Sequence, residues 1–178
     1  TIADGTAVKT PGKNIFPYIR DNIDEIVTVP DEELVVSFLD IVENHKMIVE
    51  NSGLLTVAAL RHLEVKNKRI VSILSGGNMD IITMSSVVQQ GLIFRDRIFT
   101  VSVLLPDKPG ELTKVSEVIA LLHGNVIKLE HNQFVSINRN AAVELRITLE
   151  TFGTEHKNQI IKALEEKGYQ PKQVRTNI

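Results

Sequence analysis

Cysteine is absent from this chain of 178 residues, which excludes a disulfide framework, a thiolate metal site and a cysteine nucleophile together. Long apolar runs are absent too: stretches such as residues 118–122 fall far short of the roughly 18 to 20 residues that a membrane span needs. The net charge is only −2, so nothing favours nucleic acid or an anionic membrane as a partner. What remains, 43% hydrophobic and 24% charged residues, is typical of an ordinary globular protein with one large or two small domains.

The chain begins with Thr1, and residues 1–5 have neither the basic start nor the apolar stretch of a signal peptide. We therefore expect Thr1 to be a processed terminus or an internal position of a longer protein, and we expect a cytoplasmic location. The five histidines show no metal-ligand spacing, so we expect no metal site and interpret them as surface or turn residues, at positions 45, 62, 123, 131 and 156.

The first half of the chain, residues 14–92, alternates short apolar runs with amphipathic segments, which is the pattern of an α/β fold. Strands are predicted at residues 25–29, 47–50 and 70–74, and the last of these predicts a central parallel strand covered on both faces because it is nearly all β-branched. Helices are predicted at residues 30–42, 54–63 and 80–90, with Gly91 ending the third.

The second half predicts strand, helix, strand, strand, helix and strand within residues 97–175. Strands are expected at residues 99–105, 125–135, 143–150 and 169–174, with a turn at 138–140; the second helix is capped by Thr154 and stopped by Gly168. This is a βαββαβ, ferredoxin-like order, with four antiparallel strands and two helices on one face. The other face, including residues 144, 146, 148 and 150, should be solvated, and pairing with a second copy would cover the sheet's uncovered face and edges.

The sequence Ser75-Gly76-Gly77-Asn78 follows the predicted central strand, at the edge where open α/β sheets bind their ligands. Adjacent glycines let the backbone approach a bound group closely, and Ser75 offers a neutral hydroxyl. A Gly-Gly turn that joins a strand to a helix needs no ligand, so the pattern alone leaves both interpretations open.

Four spaced motifs give this site a context: TIADG at residues 1–5, IFPYIRD at 15–21, ENSG at 50–53 and ILSGGNMD at 73–80. Together they resemble the carboxy-terminal part of the catalytic domain of threonine dehydratases, which are fold-type II pyridoxal-phosphate enzymes. The resemblance implies that residues 1–95 are an incomplete catalytic domain and that the serine at position 75 hydrogen-bonds the pyridine nitrogen of the cofactor. It also implies cofactor contacts at Gly76, Gly77 and Asn78, and places Gly5 and Glu50 near the cofactor.

A neutral hydroxyl at the pyridine nitrogen, in place of a carboxylate, leaves the ring largely unprotonated, which suits β-elimination. In this family the Schiff-base lysine, the phosphate-binding loop and the metal ligands lie upstream of the segment that matches Thr1. The resemblance therefore implies no catalytic residue within this chain, which alone should be inactive and should need the missing amino-terminal part of the domain as its partner.

The sequence LPDKPGEL at residues 105–112 resembles the signature loop of ACT regulatory domains, and GNV at 124–126 resembles the start of their second strand. Gly110 leaves room for a ligand carboxylate at a helix amino terminus. The resemblance implies an ACT domain over residues 97–175 with effector contacts at Asp107, Pro109, Gly110, Leu112 and Asn125. The alternative is a Pro-Gly turn without a ligand, in a domain that only oligomerises.

The two resemblances together imply the carboxy-terminal part of a pyridoxal-phosphate-dependent L-threonine dehydratase, whose parent protein converts threonine to 2-oxobutanoate and ammonia. Its ACT domain would regulate that activity by sensing an amino-acid effector and would assemble a homo-oligomer. The alternative is a non-catalytic module that binds an amino acid or only oligomerises. Substrate preference between threonine and serine, and the identity of the effector, stay open.

Overall fold

The computed structural model describes residues 1–133 and 143–177, which form two compact units, Thr1–Gly91 and Leu92–Ile178. The turn predicted at residues 138–140 and the end of the strand predicted to reach residue 135 lie outside the described residues. Within the described part of the chain, no helix is long and apolar enough to cross a membrane.

The helices that begin in the first unit account for most of its regular structure. They are α1 (Phe16–Asn22), α2 (Asp31–His45), α3 (Leu55–Ala58) and α4 (Ile81–Phe94). Short 3-10 turns lie at Asp4–Thr6, Asn51–Leu54 and Ala59–His62. The helices predicted at 30–42 and 80–90 are confirmed, whereas the one predicted at 54–63 is a single α-helical turn between two 3-10 turns.

Helix α2 supplies much of the core of the first unit. Three acidic residues occupy its first turn, where the positive end of the helix dipole favours them, and Lys46 ends it with a left-handed φ of 57°. Leu34, Phe38 and Ile41 recur at helical spacing and are buried. The burial of this stripe against the segments around it holds the unit together.

The sequence predicted that Gly91 ends α4, but this glycine lies buried inside the helix. A Cβ atom at this position would come 2.6 Å from Leu39 Cδ1 and 3.4 Å from Val35 Cγ1 of α2. The glycine is therefore needed for close helix packing, because any side chain would force the two helices apart.

The three strands predicted at residues 25–29, 47–50 and 70–74 are not formed. A strand needs a hydrogen-bonded neighbour, and within the described residues these extended segments share no ladder. The predicted burial of residues 70–74 is also wrong, since Val71 is 88% and Ile73 is 70% exposed.

The second unit has the βαββαβ order that the sequence predicts. Its elements are β1 (Ile98–Leu105), α5 (Glu111–Leu121), β2 (Asn125–Asn132), β3 (Val143–Glu150), α6 (Thr154–Glu166) and β4 (Lys172–Val174). The strands form one antiparallel sheet in the order β2-β3-β1-β4. Strand β2 is irregular, as expected, because its register against β3 shifts between Val126 and Lys128.

Alternation along the two central strands builds the core of this unit. Phe99, Val101, Val103 and Leu105 of β1 face both helices and are buried, as are the alternate residues of β3. The helices add Val115, Ile119, Ile160 and Leu164 to the same cluster. Both helices therefore cover one face of the sheet, as predicted, and leave the other face without a helix.

Two predictions of exposure fail in this unit. Thr148, expected on the solvated face of β3, is 4% exposed, and His156, expected at the surface, is buried. Thr154 also begins α6 rather than capping it, since Gly153 occupies the cap position.

His156 is buried because both of its ring nitrogens bind backbone groups at the ends of two helices. Nδ1 accepts from the Phe152 N–H at 3.1 Å, and Nε2 lies 2.6 Å from the carbonyl oxygen of Leu122. The Phe152 ring also stacks on the imidazole, with centroids 5.0 Å apart. One side chain thus joins the start of α6 to the end of α5.

We predict that His156→Ala lowers the free energy of unfolding of the second unit by about 1–3 kcal/mol, because it leaves a backbone donor and a backbone acceptor unpaired. Urea unfolding of the full chain measures the loss. His131→Ala, at an exposed histidine on β2, is the control and should change stability little. Equal midpoints for the two variants would contradict the role given to His156.

Candidate functional site

The segment of residues 75–78 lies beside Glu50, although no strand ladder forms there. The Glu50 N–H donates to the carbonyl oxygen of Gly76 at 3.0 Å. Ser75, Gly77 and Asn78 are exposed, and Gly76 is half-buried. Two of the motifs that the sequence separates by about 25 residues are thus brought together.

Glycines allow this close approach. A Cβ atom on Gly76 would lie 2.4 Å from Glu50 Oε1, and one on Gly77 would lie 3.1 Å from the carbonyl oxygen of Ile48. On the other side of the contact, a Cβ atom on Gly53 would lie 2.9 Å from Val49 Cγ1 and 3.3 Å from the Ser75 backbone nitrogen. The Gly-Gly pair therefore packs closely against Glu50 and the Ile48 backbone, whereas the approach to a bound group that the sequence suggests stays a prediction.

The first motif of the chain packs against the same region. The side-chain amide of Asn51 donates to the carbonyl oxygen of Ile2 at 3.0 Å, and a Cβ atom on Gly5 would come 2.8 Å from Ser52 Oγ. Residues 1–5, 50–53 and 75–77 are consequently neighbours. Gly5 contacts Ser52, and Glu50 bonds the residue that follows Ser75.

A cavity of about 490 Å³ opens in the first unit, and Glu50 and Asn78 line it. Ser75, Gly76, Gly77 and Gly5 do not. The structure thus divides the predicted cofactor residues into two that face this cavity and four that lie outside its wall.

Two further residues of the cavity wall escaped the sequence analysis. Asn51 is buried, and its Oδ1 atom has no hydrogen-bond partner among the described residues. Asp80 Oδ1 accepts from the N–H groups of Ile82 and Thr83, at 2.9 and 3.0 Å, and so caps α4. Donation by the Thr83 hydroxyl and by these backbone groups holds the pKa of Asp80 below its ordinary value. Both residues lie inside the recognised motifs, but no pattern distinguishes them from their neighbours.

In the second unit, the predicted effector loop follows β1. Asp107, Pro109, Gly110 and Leu112 are all exposed. Gly110 caps α5 with a left-handed φ of 88°, and no side chain caps that helix end. Backbone N–H groups of the first turn therefore have no side-chain partner there, as a carboxylate-binding helix terminus requires.

Asn125 is not part of this loop. The register places Asn125 opposite Glu150, which is opposite Ile98 at the start of β1, whereas the loop follows the end of β1 at Leu105. Seven residues of strand separate the two ends of the sheet by roughly 23 Å. The Asn125 side-chain amide donates to Glu150 Oε2 at 3.0 Å. One copy of the chain does not bring Asn125 and the loop to one ligand.

We predict that Gly53→Ala lowers the free energy of unfolding of the first unit by about 1–3 kcal/mol, because the added methyl group meets buried Val49 and the backbone of Ser75. Gly12→Ala is the matched control, since its Cβ would meet only Ile15 Cγ2 at an ordinary 3.6 Å. Thermal unfolding of both variants decides the matter. If the two variants have the same melting temperature, the close packing around Ser75 does not contribute to the stability of the unit.

Residues 1–76 match the family of pyridoxal-phosphate dependent enzymes. Curated relatives align with nearly the whole chain. An L-threonine ammonia-lyase of Geobacter sulfurreducens is 39% identical over 95% of the chain and 42% of its own length. One of Thermotoga maritima is 33% identical over 96% of the chain and 43% of its own length. The chain therefore spans less than half the length of these relatives.

A catabolic L-threonine dehydratase of Staphylococcus aureus is 35% identical, but its match covers only 54% of the chain and 29% of its own length. Among solved structures, the chain is similar to a prephenate dehydratase of Streptococcus mutans, with a TM-score of 0.37 and 21% identity over 43% of the chain and 40% of that protein. It is also similar to the regulatory subunit of aspartate kinase from Thermus flavus, with a TM-score of 0.35 and 17% identity over 43% of the chain and 50% of that subunit.

Homology thus extends from the segment around Ser75 into the second unit, because the two threonine ammonia-lyases align with 95% and 96% of the chain. Almost the whole chain is therefore similar to part of two threonine ammonia-lyases, and its residues 1–76 match the family of pyridoxal-phosphate dependent enzymes.

Proposed function

We propose that this chain is the carboxy-terminal part of a pyridoxal-phosphate-dependent L-threonine dehydratase that works in the cytoplasm and converts threonine to 2-oxobutanoate and ammonia. Residues 1–95 would be the end of its catalytic domain, and residues 97–175 an ACT regulatory domain. The observation that carries the proposal is the homology to threonine ammonia-lyases over almost the whole chain. The contact between Glu50 and the Ser75-Gly76-Gly77 segment adds support, because it joins two motifs of the catalytic resemblance.

The residues around Ser75 fit one edge of the cofactor. Gly76 and Gly77 let this segment pack closely against Glu50 and the Ile48 backbone, and the exposed Ser75 hydroxyl can bond a ring nitrogen without carrying charge. Pyridoxal phosphate, when bound, supplies an electron sink for carbanion chemistry. Ser75 would orient the ring by its hydroxyl and, being neutral, leave the ring nitrogen unprotonated. The lysine, phosphate loop and metal ligands that complete the site belong to the amino-terminal part of the parent enzyme.

The second unit would regulate the enzyme by binding an amino-acid effector at the loop that contains Asp107, Pro109, Gly110 and Leu112. The bare helix end at Gly110 suits a ligand carboxylate, and the exposed Asp107 carboxylate suits an ammonium group. Asn125 would join this site only from another copy of the chain, because within one copy it lies at the other end of the sheet.

A homo-oligomer supplies that second copy. Strand β2 is an edge strand, and its apolar side chains Val126, Ile127 and Leu129 are 38–43% exposed. Two copies that pair antiparallel through β2 would cover these side chains and bring Asn125 of each copy towards the end of the other sheet that carries the loop.

For the catalytic part, we predict that Ser75→Ala in the complete protein lowers the rate of 2-oxobutanoate formation at least about tenfold, because the ring nitrogen loses its hydrogen bond. The visible absorbance of bound cofactor, and its loss on borohydride reduction, serve as a second readout. Ser116→Ala, at a serine of α5 that bonds the Leu112 carbonyl, is the control and should keep the rate. A complete protein without cofactor absorbance would favour the non-catalytic module.

For the regulatory part, we predict that Gly110→Ala abolishes the response of the complete enzyme to L-isoleucine or L-valine. Gly168→Ala is a matched control, since both glycines are left-handed, with φ of 88° and 87°, and neither has an atom within 4 Å of the added Cβ. Each variant should lose about 1–2 kcal/mol of stability through backbone strain. If the two variants respond equally to the effector, the loop is not required for regulation.

A further inference from the structure

The face of the sheet that carries no helix holds a pocket which the proposed function does not use. One row of side chains crosses all four strands there: Lys128 on β2, Thr148 on β3, Thr100 on β1 and Val174 on β4 stand opposite one another. The two central positions are short and the edge position on β2 is long. The difference in length leaves a depression of about 240 Å³ over the two threonines.

The floor of this pocket contains a hydroxyl hydrogen without an acceptor. Thr100 Oγ1 and Thr148 Oγ1 lie 2.9 Å apart, and the residues are 6% and 4% exposed. Their mutual hydrogen bond uses one of the two hydroxyl hydrogens. Neither oxygen makes a further hydrogen bond within the part of the chain that the structure describes, so the second hydrogen needs an acceptor from outside.

Arg146 forms one wall of the pocket, and its ion pair with Glu144 holds the guanidinium in place. The Glu144 carboxylate accepts from the Ser102 hydroxyl at 2.7 Å and forms an ion pair with Arg146, whose Nε lies 3.1 Å away. The Ser102 bond, together with Arg146, holds the pKa of Glu144 below its ordinary value, so the carboxylate stays ionised at neutral pH. This contact orients the guanidinium by its Nε edge and leaves its two terminal nitrogens as donors for a ligand.

The charged side chains around the pocket include one more cation than their anionic partners can neutralise. Lys128 forms an ion pair with Glu130 at 2.9 Å, and Arg146 pairs with Glu144. Arg175, which also lines the pocket, forms no ion pair with any residue in the described ranges. A ligand that offers one negative charge and several acceptor lone pairs would complement both this charge and the spare hydroxyl.

We infer that this pocket binds a small oxyanion, the carboxylate or phosphate group of a small molecule, through Arg146, Arg175 and the threonine hydroxyl. The site is distinct from the loop at Asp107, because it lies in the middle of the sheet on the face that carries no helix, the open face. It does not rest on the proposed enzyme activity, since it is built from residues of the second unit alone.

Isothermal titration of the full chain with sodium succinate and with inorganic phosphate, each against sodium chloride of equal ionic strength, tests the inference. At least one oxyanion should bind saturably where chloride does not. Arg146→Gln should weaken that binding about tenfold or more, because a charge-assisted hydrogen bond is lost. Thr100→Val combined with Thr148→Val removes both hydroxyls at nearly constant volume and should weaken it severalfold, because either single variant leaves one hydroxyl hydrogen to donate.

Arg61→Gln is the control, since Arg61 pairs with Asp40 in the first unit and should leave binding unchanged. Urea midpoints confirm that each variant is folded, and Arg175→Gln replaces Arg146→Gln if the latter is not. Succinate binding alone indicates a carboxylate ligand and phosphate binding alone a phosphorylated one; either supports the site. No saturable binding above chloride, or equal binding by Arg146→Gln and Arg61→Gln, would overturn the inference and leave a hydrated pocket.

Discussion

The pairing of β1 with β3 is the constraint on which the second unit depends. Eight consecutive pairs, from Ile98 with Glu150 to Leu105 with Val143, fix the two central strands against each other. Because side chains alternate along a strand, this register sends one set of residues to the helices and the other to the open face. A slip of one residue would turn Arg146 towards the core and Ile147 towards water, so burial of the core also determines the geometry of the open-face pocket.

The fold of this unit could be predicted because its signals are local and periodic. The alternation from Phe99 to Leu105 and the helical spacing of Val115 and Ile119 each specify an apolar face, and the faces combine in one way. Periodicity predicts on which face of the sheet or helix a side chain lies, but not how much of it is exposed. Thr148 is buried between Thr100, whose hydroxyl bonds its own, and the longer Lys128 on the edge strand, and His156 is buried because two backbone groups bind its ring. Neither cause is visible in the sequence around these residues.

In the first unit, prediction succeeded for helices α2 and α4 and failed for the strands for a related reason. The hydrogen bonds of α2 are internal to one segment, so its sequence suffices to form it. Residues 70–74 need partners from elsewhere, and β-branched residues alone do not supply them. The resemblance did place Glu50 and Gly76 near each other, and the structure joins their backbones by a hydrogen bond. The unsatisfied oxygen of Asn51 could not be foreseen, because it depends on what the other atoms around it bind.

The separation of Asn125 from the Gly110 loop has a thermodynamic consequence. A ligand that touches both must bridge two copies, so its binding and the association of the copies are linked equilibria. Ligand would favour assembly, and dilution of the protein would weaken the apparent affinity by mass action. A sensor built this way reports the amount of the protein as well as the amount of the effector.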